Sequence, residues 1–404
     1  MIKPLILPVV ALATFLIAAP GKADGPAPKG TEFPLFVDDA DPAPTDDNTV
    51  LCNWNILQSP GVSTTSSVNE FLETWALKRI SCEVAIPLGQ GHDSRGSRLG
   101  LTEPEVKDLV RATSGNSNLG WWELPRDMRA WLPREIGVLS DYTAWTRAYD
   151  PQKRPTYETI PNQRGMTHFT AAAAADVIGA LPFGEATQPM PNAWIRYRMQ
   201  DCCVAGIKQA GKTIGTNYLA GEKLPVAVLF FGKEPDGSLP TPEQSYHDFW
   251  SAIASGAMGI GVHSYSYTMH KVPKLAENLE ELNLAASQIT GPAQLGKVLL
   301  NGETCTDVGF KILSGPARTV TFTPPDSKKP VDYPSLNVLC KRHDGHFYVI
   351  AVNSTDQPVT AEINNLQSSD PVARVLFQGR TVELNHGRFE DKFPAWGVNI
   401  YKIH

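Results

Sequence analysis

The chain has 404 residues, 42% of them hydrophobic and 19% charged, with a formal net charge of −6. That balance is ordinary for a globular protein and excludes disordered, collagenous and coiled-coil classes. There is no basic run to mark a nucleic-acid surface, and at this length a large domain with a smaller companion is expected.

Residues 1–23 read as a secretory signal peptide. Lys3 supplies the charged start, an apolar run follows to Ala19, and Gly21-Lys22-Ala23 fits the small-x-small cleavage rule. A membrane anchor is the alternative, but the run is short and broken by Pro4 and Pro8. The expectation is a soluble mature protein, secreted or periplasmic, with no membrane association after cleavage.

Residues 25–48, rich in Pro, Asp and Ala, suit an extended segment, with a first strand at 33–37. Apolar runs of strand length then alternate with amphipathic runs of helix length, the pattern of βα units around a parallel sheet. The spacing predicts strands at 50–57, 81–88, 119–124, 154–160, 176–183, 224–231 and 258–265. It predicts helices at 67–78, 103–112, 135–149, 166–175, 193–210, 244–255 and 272–300. Thr102 and Thr241 each stand three residues before Glu105 or Gln244, as in a capping box, and Pro242 suits a first helical position. Eight strands over this span predict an α/β fold, a (β/α)8 TIM barrel at 24–302. An open doubly wound sheet is the runner-up, weakened by the lack of a Gly-rich phosphate fingerprint. From 303 to 404 short alternating runs, at 310–313, 319–322, 337–340, 347–353, 359–363, 373–377, 381–384 and 398–403, predict a small antiparallel β-sandwich.

The six cysteines, Cys52, Cys82, Cys202, Cys203, Cys305 and Cys340, do not have zinc-site spacing. In an oxidising compartment disulfides are the default, with Cys305–Cys340 and Cys52–Cys82 the favoured pairs. Cys202 and Cys203 are adjacent on a predicted helix, where at least one is expected to be buried.

Barrel active sites lie at the C-terminal ends of the strands. The fourth strand ends Gly120-Trp-Trp-Glu123, and period-two alternation puts Trp121 and Glu123 on one face, with Trp122 on the other. A carboxyl beside indoles has reason to hold its proton, as a general acid must. Alternatively, Glu123 is a rim residue paired with Arg126 or Arg129. On the fifth strand the carboxylate is Glu158. If it faces the lumen, two acids stand on strands about 4.8 Å apart, a separation suited to a retaining glycosidase. If not, Glu158 pairs with Arg164 or Arg154.

Asn53, Asn55, His92, Asp93, Glu185, Glu234, His263, Tyr265 and Tyr267 are further mouth candidates. With Trp121 they would form a polar, aromatic cleft suited to a sugar, although each singly suits a loop-solvation role. There is no G-x-S-x-G elbow and no H-E-x-x-H, and His92-Asp93 lacks a second histidine at ligand spacing, so neither metal nor cofactor is expected. Asn353-Ser-Thr355 matches a glycosylation acceptor.

The eight-strand rhythm, the segment from Trp250 through Gly256-Ala-Met-Gly-Ile260 to His263-Ser-Tyr265, and the tail from Phe389 to Tyr401 resemble secreted (β/α)8-barrel glycoside hydrolases with a C-terminal β-sandwich. The resemblance implies hydrolysis of glycosidic bonds in a poly- or oligosaccharide by two carboxylates, with Glu123 carried over as acid/base. This chain has Trp122-Glu123 where many such barrels have Asn-Glu. Its seventh strand ends Phe230-Phe231-Gly232, with Glu234 later than the family's nucleophile. The nucleophile therefore stays open among Glu158, which is preferred, Glu234 and Glu185. A non-catalytic carbohydrate-binding protein on the same scaffold is the alternative function, and a structural cell-envelope protein a third.

Overall fold

The computed structural model describes residues 32–37, 56–58, 68–70, 72–73, 81–89, 91–126, 128–160, 164–181, 191–229, 239–262, 276–327, 329–368 and 370–404. The segment expected to be a signal peptide, 1–23, and Cys52 lie outside them.

Eight parallel strands pair in sequence order: β1 Leu35–Val37, β2 Ile56–Gln58, β3 Ser81–Ala85, β4 Leu119–Glu123, β5 Thr156–Ile160, β6 Val177–Ala180, β7 Leu224–Leu229 and β8 Ile260–Val262. The register Leu35↔Ile260, Phe36↔Gly261, Val37↔Val262 closes β8 onto β1, so the sheet is the expected barrel and not the open alternative. The described helices are α1 Glu103–Thr113, α2 Pro133–Tyr149, α3 Met166–Ala172, α4 at 193–209, α5 Pro242–Ala254, α6 Ala276–Thr290 and α7 Leu295–Asn301. Within α4 the stretch Tyr197–Val204 is π-helical.

Both predicted caps form. Glu105 Oε2 accepts from the Thr102 backbone N–H at 2.7 Å. Gln244 N–H donates to Thr241 Oγ1 at 3.3 Å while Gln244 Oε1 accepts from Thr241 N–H at 2.6 Å, and Pro242 opens α5. The single helix expected at 272–300 is two, because Gly291-Pro292 removes a backbone donor and starts a new turn.

Aromatic rings fill the lumen. Phe36 of β1, Trp121 of β4 and Tyr157 of β5 meet with centroids 5.5–5.6 Å apart, and all three are fully buried. Because β1 lies across the ring from β4 and β5, the three can touch only inside it. Each ring pair adds about 0.5–1.5 kcal/mol beyond its burial. Glycines leave the necessary room: a Cβ at Gly179 would come within 2.8 Å of the Tyr157 hydroxyl, and one at Gly261 would run into the Phe36 ring.

Asn301 ends α7 and Glu303 begins the all-β part. A three-stranded sheet, β10 Gly309–Ser314, β13 Val359–Asn364 and β16 Phe389–Phe393, covers one face of a six-stranded sheet. That larger sheet runs β15 Arg380–Glu383, β14 Val372–Val375, β17 Val398–Ile403, β12 His346–Asn353, β11 Leu336–His343 and β9 Glu303–Thr304. Along β12, Phe347, Val349 and Ala351 enter the sandwich core, while Tyr348, Ile350 and Val352 join the core of the barrel. The large sheet is thus buried on both faces, its second face resting on α5 and α7.

Buried polar contacts register this interface. His247 of α5 has its Nδ1 2.8 Å from Asp248 Oδ1 and its Nε2 3.0 Å from Ser354 Oγ, and Asn337 Nδ2 donates to Ser255 Oγ at 2.9 Å. The glycosylation triplet sits at the same junction. Asn353 is fully buried, its amide donating to the carbonyls of Gln357 and Pro394, so it has no free amide to offer.

Two expectations for this region are corrected. Residues 319–322 form no strand: Phe322 makes only an isolated bridge to Val331, within a proline-rich crossing that packs Phe322 on Trp194 and Tyr197 of α4. The Cys305–Cys340 bridge is not formed. The backbone ladder joins the two strands there, Cys305 N–H donating to the Cys340 carbonyl at 3.0 Å, and both residues are free thiols. Cys202 and Cys203 are both buried thiols, and burial pushes the Cys202 thiol up to about 11.

The ring-filled lumen yields a test. Gly261→Ala should lower stability by about 1–3 kcal/mol, the usual result of overpacking a filled core, read as a fall in thermal midpoint. An unchanged midpoint would mean that Phe36 does not occupy the lumen.

Candidate active site

Strand parity sets which side chains reach the barrel mouth. The register Glu123↔Tyr157 and Trp122↔Thr156 aligns the faces of β4 and β5. With Trp121 and Tyr157 inside the lumen, Glu123 is inside too, at the last position of β4 and only 3% exposed. Trp122 points outward, its Nε1–H donating to the buried Asp150 at 3.0 Å. Arg126 folds back on Glu123, its Nε–H donating to Oε1. The ion pair weighed as the alternative for Glu123 is therefore made.

Glu158 needs correcting. It lies between Tyr157 and Thr159 and so shares the outer face of β5 with Thr156, whose hydroxyl is 3.2 Å from that of Thr143 on α2. Fully buried on the helix side of the sheet, it does not converge with Glu123 at the mouth. Nor do the expected arginines hold it: Arg154 pairs with Asp150 at 2.9 Å, and Arg164 lies against Trp131. Trp121 is corrected as well. At 0% exposure it is core and has no face to offer a sugar.

His92 and Asp93 shape the loop after β3. Asp93 Oδ1 accepts from the backbone N–H groups of Arg95 at 2.8 Å and Ser97 at 2.9 Å, and Arg134 is 3.3 Å from its other oxygen. Those bonds, the Ser97 N–H foremost, hold its carboxyl below the usual range. His92 bridges to Arg98 through its backbone and leaves its side chain exposed. Asn53, Asn55, Glu185, Glu234, His263, Tyr265 and Tyr267 lie outside the described residues.

The rim itself is tied together by Glu135, in the first turn of α2. Its fully buried carboxylate accepts from the Arg98 N–H at 2.9 Å and the Arg129 N–H at 2.9 Å, and it pairs with both guanidinium groups. It thereby joins the β3–α1 loop, the β4–α2 loop and α2. Burial opposes its charge, but the hydrogen bonds from Arg129 and Arg98 outweigh that and bring its carboxyl down to about 2.

Sequence reasoning missed a further rim group. Trp131, in the β4–α2 loop, is 56% exposed. The Arg164 guanidinium lies 4.8 Å from its ring centroid, and His168 meets it edge-on at 5.5 Å. Nothing in Arg129-Ala-Trp-Leu-Pro133 distinguishes an exposed indole from a buried one.

No family model matches the sequence, and no curated protein matches it. Solved structures do share its architecture. A β-galactosidase from Bacillus circulans sp. alkalophilus is similar at TM-score 0.60 and 8% identity, covering 93% of this chain and 99% of that one. An α-amylase from Geobacillus thermoleovorans, complexed with acarbose, is similar at 0.55 and 9%, with 93% and 99% covered. An Anoxybacillus α-amylase is similar at 0.54 and 10%, with 93% and 98% covered. What they share with this chain is the fold, a (β/α)8 barrel followed by antiparallel sheets. At such identities the likeness establishes the barrel and its β-sheet companion, and individual residues do not transfer.

Among the described residues no group of three His, Cys, Asp or Glu could hold a metal, and no helix is long and apolar enough to cross a membrane.

Glu135 provides a pH test of the rim. A carboxyl held near 2 when folded and near 4.5 when unfolded adds stability that is complete above about pH 5 and lost as the pH falls toward 2. Glu135→Gln should cost on the order of 2 kcal/mol at pH 7, below the range for fully buried pairs because both arginines keep a foothold in water. Thermal midpoints across pH should show the gap between wild type and variant closing below pH 4.5. A gap constant to pH 2.5 would remove Glu135 as the anchor.

Proposed function

We propose that the protein is an exported glycosidase that cleaves a poly- or oligosaccharide, with Glu123 as acid/base at the barrel mouth. The observation that carries this reading is the position of Glu123, the last lumen-facing residue of β4 on a glycoside-hydrolase fold. In (β/α)8 enzymes catalytic groups occupy the C-terminal strand ends. Glu123 would donate a proton to the glycosidic oxygen as the bond to the anomeric carbon breaks, while a second carboxylate stabilises the cationic sugar or activates water. With Glu158 on the helix side, Glu234 and Glu185 become the candidates for that second role. A separation of about 5 Å from Glu123 would imply retention of configuration and a wider one inversion. Export follows from the leader: protein made with it should begin at Asp24 when sequenced from its N-terminus, and an intact Met1 would refute export.

A second reading, a non-catalytic carbohydrate-binding protein, draws on the Glu123–Arg126 ion pair and the outward Glu158. One comparison separates the two. Glu123→Gln should cut turnover of the best polysaccharide or aryl glycoside at least about a hundredfold, the scale of general acid catalysis, while the thermal midpoint stays close to wild type. If wild type binds saccharide but neither protein turns it over, the binding reading stands. Equal turnover by both would remove Glu123 from the chemistry.

A further inference from the structure

Among the described residues Trp131 is the exposed tryptophan, and it is held on a braced loop. Below it, Arg129 is bound by Glu135, and Leu132 N–H donates to the Arg129 carbonyl at 2.9 Å before Pro133 starts α2. Beside it, Arg164 and His168 come from the β5–α3 connection and from α3. The indole therefore spans the connections after β4 and β5, on the same face of the barrel as Glu123. One face of the ring carries the guanidinium. A flat apolar surface fixed this way loses little entropy when a ligand stacks on it, and the C–H face of a pyranose is a partner of matching shape.

Arg164 narrows the ligand further. Its rim neighbours Arg98, Arg126, Arg129 and Arg134 each pair with a carboxylate. Among the described residues Arg164 pairs with none, and its buried Nε lacks a hydrogen-bond partner. Asp326, which approaches the adjacent Gly165, accepts instead from the Tyr197 hydroxyl at 2.8 Å. His168 is pushed down to about 4, first by burial and then by Arg164 and Arg198 against the opposing Asp326 carboxylate, so at neutral pH it is uncharged and adds no charge beside Arg164. A guanidinium with no carboxylate partner among the described residues, lying against an exposed indole, offers a stacking plane and a carboxylate receptor side by side.

We propose that Trp131 and Arg164 form a subsite for an acid-bearing sugar ring, a uronate, on the rim above β4 and β5. The proposal rests on the carbohydrate-active reading above and specifies its substrate class. The pyranose stacks on the open face of Trp131, and its carboxylate accepts from Arg164.

Calorimetric titration of the full-length protein with tetragalacturonate and with neutral maltotetraose tests it. Wild type should bind the acidic oligomer at least tenfold more tightly, and that preference should shrink between 50 and 500 mM NaCl. Trp131→Ala should weaken the acidic oligomer about tenfold. Arg164→Gln should abolish the preference, with Arg164→Lys restoring part of it. Equal affinity of wild type for the two oligomers, a preference insensitive to salt, or a preference that survives Arg164→Gln would overturn the subsite. The wild-type comparison stands even if a variant fails to fold. Binding of uronates through both residues with no cleavage of any glycoside would keep the subsite and refute the hydrolase. Glu123-dependent cleavage of neutral glycosides, with no acid preference, would do the opposite.

Discussion

Three rings meeting in the lumen set the phase of the barrel. Phe36, Trp121 and Tyr157 are in contact across the ring, and because side chains alternate along a strand, their inward turn fixes the direction of every neighbour. With Trp121 in, Glu123 crowns the lumen and Trp122 turns out to Asp150; with Tyr157 in, Glu158 turns out beneath the helices. A slip of one residue in β5 would exchange Tyr157 for Glu158, placing a carboxylate in an apolar interior. The ring contacts of Tyr157 with Phe36 and Trp121, which such a slip would lose, protect the observed register.

Much of the architecture was legible because barrels alternate their two element types with little interruption. All eight predicted strands overlap an observed one, and both capping boxes formed where threonine stood three residues before an acid or amide. The phase of β5 was not legible. Every residue in Thr156–Ile160 is buried, on one face by the lumen and on the other by helices, so polarity carries no sign of which face is which. For β4 the expectation that Trp121 and Glu123 share a face held, but Trp121 lies too deep to touch a ligand. Residues 319–322 failed for another reason. Their alternation is real, but prolines on either side leave them bridging once and packing on α4. Trp131 carried no periodic signal, since its exposure comes from the way two loops brace it.

Glu135 shows how a rim of loops acquires the rigidity of the strands beneath it. A buried carboxylate is unfavourable in isolation, yet two guanidinium groups and two backbone donors from separate segments more than offset its desolvation. The loop so fixed carries Arg126 toward Glu123 at one end and Trp131 toward Arg164 at the other. The buried acid and the exposed indole are therefore parts of a single braced segment.

The strand order of the large sheet makes one strand its keystone. Val398–Ile403 is not an edge: it lies between β14 and β12, and β12 also lines the barrel side through Tyr348, Ile350 and Val352. A chain lacking Val398–Ile403 would have no strand to join β14 and β15 to β12, so the sheet would divide at its middle and not fray at a margin.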